Sequence, residues 1–203
     1  MNARIANDLK TSSKTFMDLV EPELSKAIGG YFLAVEGVSA DEMARLLDTL
    51  AGIDFWNVQE GEGIRGIATR IQRGKSWRTF TVRNQRMSGA RTEYEKRKQA
   101  IEEGLLYPEL TLQAYVDNGK LLSYAVAKTV DIVKMIDIGK AIVKHTGPDQ
   151  YGQASFYVVK WDDMKQMGCQ ILIGEQKEKE REVVAYEHKQ CYQSTLPGMW
   201  QCC

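Results

Sequence analysis

Apolar residues recur at helical spacing in two stretches near the start of the chain. Between residues 14 and 28 they predict a helix that Pro22 kinks or divides. The run from Ser39 to Glu42 has the pattern of a capping box, and apolar residues on one face follow it as far as Gly52. A second helix is therefore predicted over residues 39–52.

Extended segments come next, at residues 53–58, 64–72 and 77–83, and short links that contain glycine join them. Links of this kind are typical of antiparallel neighbours, so the three segments are predicted to form a meander. A second capping box, from Thr92 to Glu95, predicts a helix that runs to Glu103.

The second half of the chain continues to alternate between strands and helices. Segments 110–116 and 121–128 flank an Asn-Gly pair, which is a strong signal for a β-hairpin. Residues 131–144 are amphipathic and predict a helix. Residues 156–161 and 170–173 are predicted strands around a short helix.

These elements predict one α/β domain over residues 1–174, with a mixed central sheet flanked by helices and a core at residues 39–128. Residues 175–203 are predicted to form a peripheral helix and a loose tail, because their apolar residues have no usable period. No stretch reaches the length of a membrane span, and residues 1–14 lack the apolar region of a secretory signal. We therefore expect a cytoplasmic protein with no membrane partner and with reduced cysteines.

Positive charge is concentrated in one part of the chain. The stretch from Arg65 to Lys98 contains eight Arg and three Lys but only two Glu, a net charge of +9, and the other residues carry −9. Such a density attracts polyanions, because each phosphate that it neutralises releases condensed counterions. A nucleic acid, with DNA favoured over RNA, is therefore the predicted partner. The candidate phosphate contacts are Arg65, Arg70, Arg73, Lys75, Arg78, Arg83, Arg86 and Arg91.

Two alternatives accompany this prediction. The long basic side chains can instead cover a sheet and pair with acidic helices. Trp77 and Tyr94 are candidates for stacking on an unpaired base, and in the alternative they pack in the core or at its rim.

Residues 39–116 are predicted to run in the order helix, three strands, helix, strand, with Asp54 entering the first strand and Arg70 and Gln72 on the second. This pattern resembles the PD-(D/E)xK nuclease superfamily, which has the restriction-endonuclease-like fold. In such enzymes an Asp and a Glu hold Mg²⁺ against the scissile phosphate, and a Lys helps to orient water. The resemblance implies a metal-dependent endonuclease that acts on DNA phosphodiesters with Mg²⁺ or Mn²⁺.

The chain departs from the motif at two positions. Arg70 stands where the family has Glu, and Gln72 stands where it has Lys. An amide can still orient water, but a cation cannot ligate Mg²⁺. Some relatives move the carboxylate to the following helix, where Glu93 is the preferred ligand because Glu95 completes the capping box. The catalytic residues are then Asp54, Gln72 and Glu93, and the metal ligands are Asp54 and Glu93.

In the other version the site is inactive and Asp54 satisfies backbone amides in a turn. The protein is then a non-catalytic nucleic-acid- or protein-binding module that keeps the nuclease fold, such as a regulator or inhibitor from a phage or mobile element. A homodimer is compatible with both versions. The histidines lie in no nucleophile motif, and the histidine and cysteines of the tail fit no usual zinc-finger spacing.

Overall fold

Two sheets make up the fold, and the computed structural model describes residues 11–35, 51–85, 89–146 and 154–175. In chain order the strands are β1 (Tyr31–Ala34), β2 (Phe55–Gln59), β3 (Gly63–Arg73), β4 (Thr79–Gln85), β5 (Leu110–Asp117), β6 (Lys120–Lys128), β7 (Ile142–His145), β8 (Ser155–Lys160) and β9 (Ile171–Glu175). The helical elements are a π-helical turn (Phe16–Val20), α1 (Glu21–Ile28), α2 (Glu93–Glu103), α3 (Thr129–Asp137) and α4 (Trp161–Gln166). The predicted α/β class is therefore confirmed.

The larger sheet has six strands in the order β1-β2-β3-β5-β6-β9, and the smaller has three in the order β4-β8-β7. In the larger sheet β3 and β5 are parallel, while the other neighbours are antiparallel. The smaller sheet is antiparallel throughout. The prediction of a mixed central sheet with helices beside it is confirmed in this form.

The third strand of the predicted meander does not pair with the second. Strands β2 and β3 are antiparallel as predicted, but β5 takes the far edge of β3, from the Ile67–Leu110 pair to the Arg73–Val116 pair. The chain turns away after β3 at Gly74 and Arg78, both of which have positive φ. Strand β4 therefore joins the smaller sheet, and this part of the prediction is wrong.

Local turn and cap signals are confirmed. Asn118 and Gly119, with φ of 48° and 72°, form the two-residue link of the β5–β6 hairpin. Thr92 and Glu95 make both hydrogen bonds of the capping box at the start of α2, and Gly104 ends that helix. Near the N-terminus the chain stays helical through Pro22, which lies in the first turn of α1 and follows the π-helical turn.

One predicted helix is too long. Helix α3 ends at Asp137, Gly139 follows with φ of 74°, and β7 begins at Ile142, so residues 142–144 belong to a strand. Residues 39–50 of the second predicted helix lie outside the described residues. Residues 176–203, for which a peripheral helix and a loose tail are predicted, also lie outside them. No helix in the described part of the chain is long and apolar enough to cross a membrane.

The hydrophobic core lies on both faces of the larger sheet. On one face Phe16 from the π-helical turn stacks on Phe55, next to Ile67 and Leu112. On the other face Phe80 and Val82 of β4 pack with Trp161 and with apolar residues of α3. Helices α3 and α4 thus cover one face of the smaller sheet.

The free edge of β4 is docked on side chains of the rest of the domain. The backbone N–H of Thr79 donates to the Tyr115 hydroxyl, and that of Thr81 donates to Gln113 Oε1. The N–H of Arg83 donates to Glu93 Oε2 at 2.8 Å. Buried backbone donors must find partners, and an unpaired strand edge invites association with other chains. The first two bonds hold the smaller sheet edge-on against β5 of the larger sheet, and the third joins β4 to α2.

We expect Gly174→Ala to destabilise the protein by about 1–3 kcal/mol, the usual cost of adding a methyl group to a packed core. Gly174 pairs with Tyr124 across β6 and β9, and a Cβ at Gly174 would overlap the buried Tyr124 ring. Urea unfolding measures the change. In a Tyr124→Ala background the same substitution should have little further effect, and equal stability of Gly174→Ala and the wild type would contradict the packing of β9 described here.

Candidate nucleic-acid interface

Glu93 is the centre of a group of charged side chains between α2 and β3. One nitrogen of Arg70, Nη2, donates to both Oε1 and Oε2 of Glu93 at 2.8 Å. Glu93 also accepts the N–H of Arg83. It is the first residue of α2, so the helix dipole adds to the stabilisation of its negative charge.

Arg97 is the second cation beside Glu93. It lies four residues further along α2, on the same face of the helix, and is 8% exposed. Burial lowers the pKa of Arg97, while the carboxylates of Glu93 and Asp54 act against that effect. Arg97 is therefore near both carboxylates that the sequence predicts as metal ligands. We call Asp54, Arg70, Glu93 and Arg97 the charge cluster.

These cations decide the ionisation of Glu93. Burial acts to raise the pKa of the carboxyl, but the charges of Arg70 and Arg97 and the N–H of Arg83 outweigh it and lower the pKa from 4.5 to about 2. Glu93 is therefore an ionised partner of two arginines at neutral pH.

Asp54 and Gln72 also have partners within the protein. Asp54 Oδ2 accepts the backbone N–H of Thr69 at 2.5 Å and its hydroxyl at 3.2 Å, so Asp54 joins the entry of β2 to β3. Gln72 Oε1 accepts from Gln113 Nε2 at 3.1 Å. Gln113 also accepts from Thr81, so Gln72 is part of the polar contact between the two sheets.

The charge cluster does not fit Mg²⁺ or Mn²⁺ as it is arranged. Magnesium requires several oxygen ligands in near-octahedral geometry. Both Glu93 oxygens already accept from Arg70, one Asp54 oxygen accepts from Thr69, and two guanidinium groups lie alongside. Among residues 11–35, 51–85, 89–146 and 154–175, no three His, Cys, Asp or Glu residues come together in a way that could hold a metal. The metal site stays a prediction that this geometry does not favour.

A row of cations and aromatic rings begins at Arg70, which also belongs to the charge cluster. Arg83, Phe156 and Lys144 are neighbours across β4, β8 and β7, so their side chains share the face of the smaller sheet that α3 and α4 leave uncovered. The guanidinium carbons of Arg70 and Arg83 lie 5.2 Å and 5.5 Å from the centroid of the Phe156 ring. These are cation–π distances.

The row continues to an exposed tryptophan. The Lys144 ammonium lies 5.6 Å from the centroid of the Trp77 ring, and the Lys75 ammonium lies 5.3 Å from it. Trp77 is 61% exposed, and both lysines are exposed. We call the connected set the basic row. It consists of Arg70, Arg83, Phe156, Lys144, Trp77 and Lys75.

The other predicted phosphate contacts do not join the basic row. Arg65 pairs with Glu62 and lines a cleft of about 600 Å³ that also contains Leu105, Leu106 and Lys128. Arg65 lies roughly 26 Å from Arg73 along β3. Arg73 is exposed at the other end of that strand. Arg78 pairs with Asp162 and Glu175 and lies over the Trp161 ring.

Arg91 and the remaining predicted side chains have other positions. Arg91 is exposed and donates to Gln99, while Arg86 lies outside the described residues. Tyr94 packs edge-on against Tyr157 and bonds Asp137, which is the packing role given as its alternative. Glu95 has the capping role predicted for it.

Three residues of the site are not among those predicted from the sequence. Lys144 falls in the predicted helix over residues 131–144, although Gly139 is a signal that this helix ends early. Phe156 opens a predicted strand, but a single strand does not reveal which cations approach its ring. Arg97 looks like an ordinary basic residue of a surface helix until its burial is known.

Comparison with known proteins identified no relative of this chain. No protein-family model, no curated protein and no solved structure matches the chain. The assignment of function therefore depends on the residues and their geometry.

Proposed function

We propose that this protein is a non-catalytic nucleic-acid-binding module and that the basic row is its binding surface. The observation that carries the proposal is the continuity of the row, in which cations approach two aromatic rings in succession. Cations neutralise phosphates, and aromatic rings accept bases.

We infer that the scaffold derives from a restriction-endonuclease-like core. Two observations support this inference. Strands β2 and β3 are antiparallel, and β5, which follows α2 in the chain, pairs parallel to β3. Asp54 and Glu93 are both near Arg97. The position of β4 in a separate sheet departs from the simple order expected for such a core.

Binding without cleavage is the version that the charge cluster supports best. A divalent ion between Asp54 and Glu93 would meet the positive charges of Arg70 and Arg97, and it would compete with the hydrogen bonds that Arg70 makes to Glu93. The arginines supply the positive charge that a metal would otherwise supply. Glu93 then serves to hold β4 and the arginines in place.

We expect no cleavage of plasmid or single-stranded DNA in the presence of Mg²⁺ or Mn²⁺, and no heat of metal binding in calorimetric titrations. Asp54→Asn should lower stability by about 1–3 kcal/mol, because the charged carboxylate accepts two hydrogen bonds from Thr69 that an amide oxygen accepts less strongly, and it should leave DNA affinity unchanged or slightly raised. Cleavage by the wild type that both Asp54→Asn and Glu93→Gln abolish would contradict the non-catalytic version and support the metal-dependent nuclease.

A further inference from the structure

Trp77 is the more exposed of the two aromatic rings of the basic row, and the chain is anchored on both sides of it. Ser76 bonds Ser123 through its hydroxyl, and Arg78 pairs with Asp162 and Glu175. The N–H of Gly74, at the start of the same loop, donates to Val116 at 2.9 Å. Anchored neighbours restrict the backbone at Trp77, so the loop loses less freedom when the ring binds a ligand, which favours affinity.

The lysines at Trp77 suit a ligand that has both flat rings and negative charges. Lys75 and Lys144 place ammonium groups close to the indole. A cation–π contact of an exposed lysine is weaker than the stacking of a base on an aromatic side chain. A base can therefore take the place of an ammonium on the ring, and the lysine can then contact an adjacent phosphate.

From Trp77 the same ligand can continue toward Phe156. Lys144 connects the two rings, because its backbone pairs with Phe156 while its ammonium approaches Trp77. The bases of a duplex stack on one another and present their edges, so two separate rings would have nothing to stack on. An unpaired strand presents base faces and phosphates in alternation.

We propose that the basic row selects single-stranded over double-stranded nucleic acid by stacking an unpaired base on Trp77. This inference rests on the proposed nucleic-acid-binding function and specifies its ligand. Because stacking and phosphate contacts exist in both DNA and RNA, the shared chemistry is an unpaired polynucleotide.

The test compares fluorescence anisotropy titrations of labelled oligonucleotides of about ten nucleotides, within the range of site sizes of single-strand-binding folds. The probes are single-stranded DNA, single-stranded RNA of the same sequence, and the DNA duplex. We expect at least roughly tenfold tighter binding of a single strand than of the duplex. Trp77→Ala should lower single-strand affinity roughly five- to a hundredfold, Trp77→Phe should retain most of it, and duplex affinity should change little.

Quenching of tryptophan fluorescence gives an independent signal of stacking. A single strand should quench the wild type and leave Trp77→Phe almost unquenched. Equal affinity for single strand and duplex, with Trp77→Ala like the wild type, would overturn this inference but leave nucleic-acid binding intact. Absence of binding to all three probes at low salt would overturn the proposed function as well. A preference for the DNA or the RNA strand identifies the natural source of the ligand.

Discussion

Glu93→Gln is expected to lower the free energy of unfolding by about 3 kcal/mol. Removal of one partner from a buried ion pair costs about 3–5 kcal/mol, and Glu93 falls at the lower end because 29% of its side chain is exposed. The amide keeps the shape of the side chain but leaves Arg70 and Arg97 without their main counter-charge, and it weakens the bond to the N–H of Arg83. Urea unfolding at neutral pH measures the loss.

The same substitution should change the pH dependence of stability. The pKa of Glu93 is lowered in the folded state from 4.5 to about 2, so the folded state favours the ionised carboxylate. Its stabilising effect is complete above about pH 4.5 and is lost as the pH falls toward about 2. Glu93→Gln should therefore lose less stability on acidification than the wild type does over that window.

Glu102→Gln is the matched control, since it makes the same change at an exposed position of the same helix. We expect a change within about 0.5 kcal/mol there, as is usual for surface sites. A Glu93→Gln variant as stable as Glu102→Gln, with the same loss of stability at low pH as the wild type, would mean that Glu93 does not stabilise the fold through Arg70, Arg97 and the N–H of Arg83.

The second large effect is expected from the double reversal Lys75→Glu/Lys144→Glu. Each reversal replaces an attraction to phosphate of about 1 kcal/mol at contact with a repulsion of similar size. After allowance for screening by salt, we expect roughly a hundredfold loss of affinity for single-stranded DNA at low salt. Both lysines are exposed, so the melting temperature should change little.

The control is Lys134→Glu/Lys165→Glu, which changes the net charge equally. Lys134 and Lys165 are exposed on α3 and α4, which cover the opposite face of the smaller sheet. Only a modest loss from the change in overall charge is expected there. Equal losses in the two double variants would indicate attraction by net charge, without a defined surface.

Local signals in the sequence predict much of the fold. The capping box at Thr92 and the Asn-Gly turn at position 118 are confirmed because their hydrogen bonds and backbone angles depend on adjacent residues. The pairing of β3 with β5 was not predictable in this way. Which strand takes a free edge depends on distant residues and on the core that forms between them.

In the candidate site, too, features that depend on adjacent residues are predictable and contacts between distant residues are not. Clustering of arginines predicts positive charge near Arg70, but it does not predict that Glu93 takes both hydrogen bonds of one guanidinium nitrogen. Arg78 belongs to the same basic stretch and instead joins α4 and β9 through Asp162 and Glu175. The order of residues shows where positive charge is concentrated along the chain. Only the folded structure shows which of these charges are paired within the protein and which remain available to a ligand.

The central claim is that the basic row binds nucleic acid through several phosphates at once. The measurement that tests it most directly is the affinity of the wild type for a single-stranded oligonucleotide over a range of salt concentrations. With three to four phosphates contacted, the logarithm of the association constant should fall linearly with the logarithm of salt concentration, with a slope of roughly −2 to −3. Undetectable binding of both DNA and RNA at low salt would contradict the claim and favour an acidic protein partner, and an affinity independent of salt would contradict contacts to several phosphates.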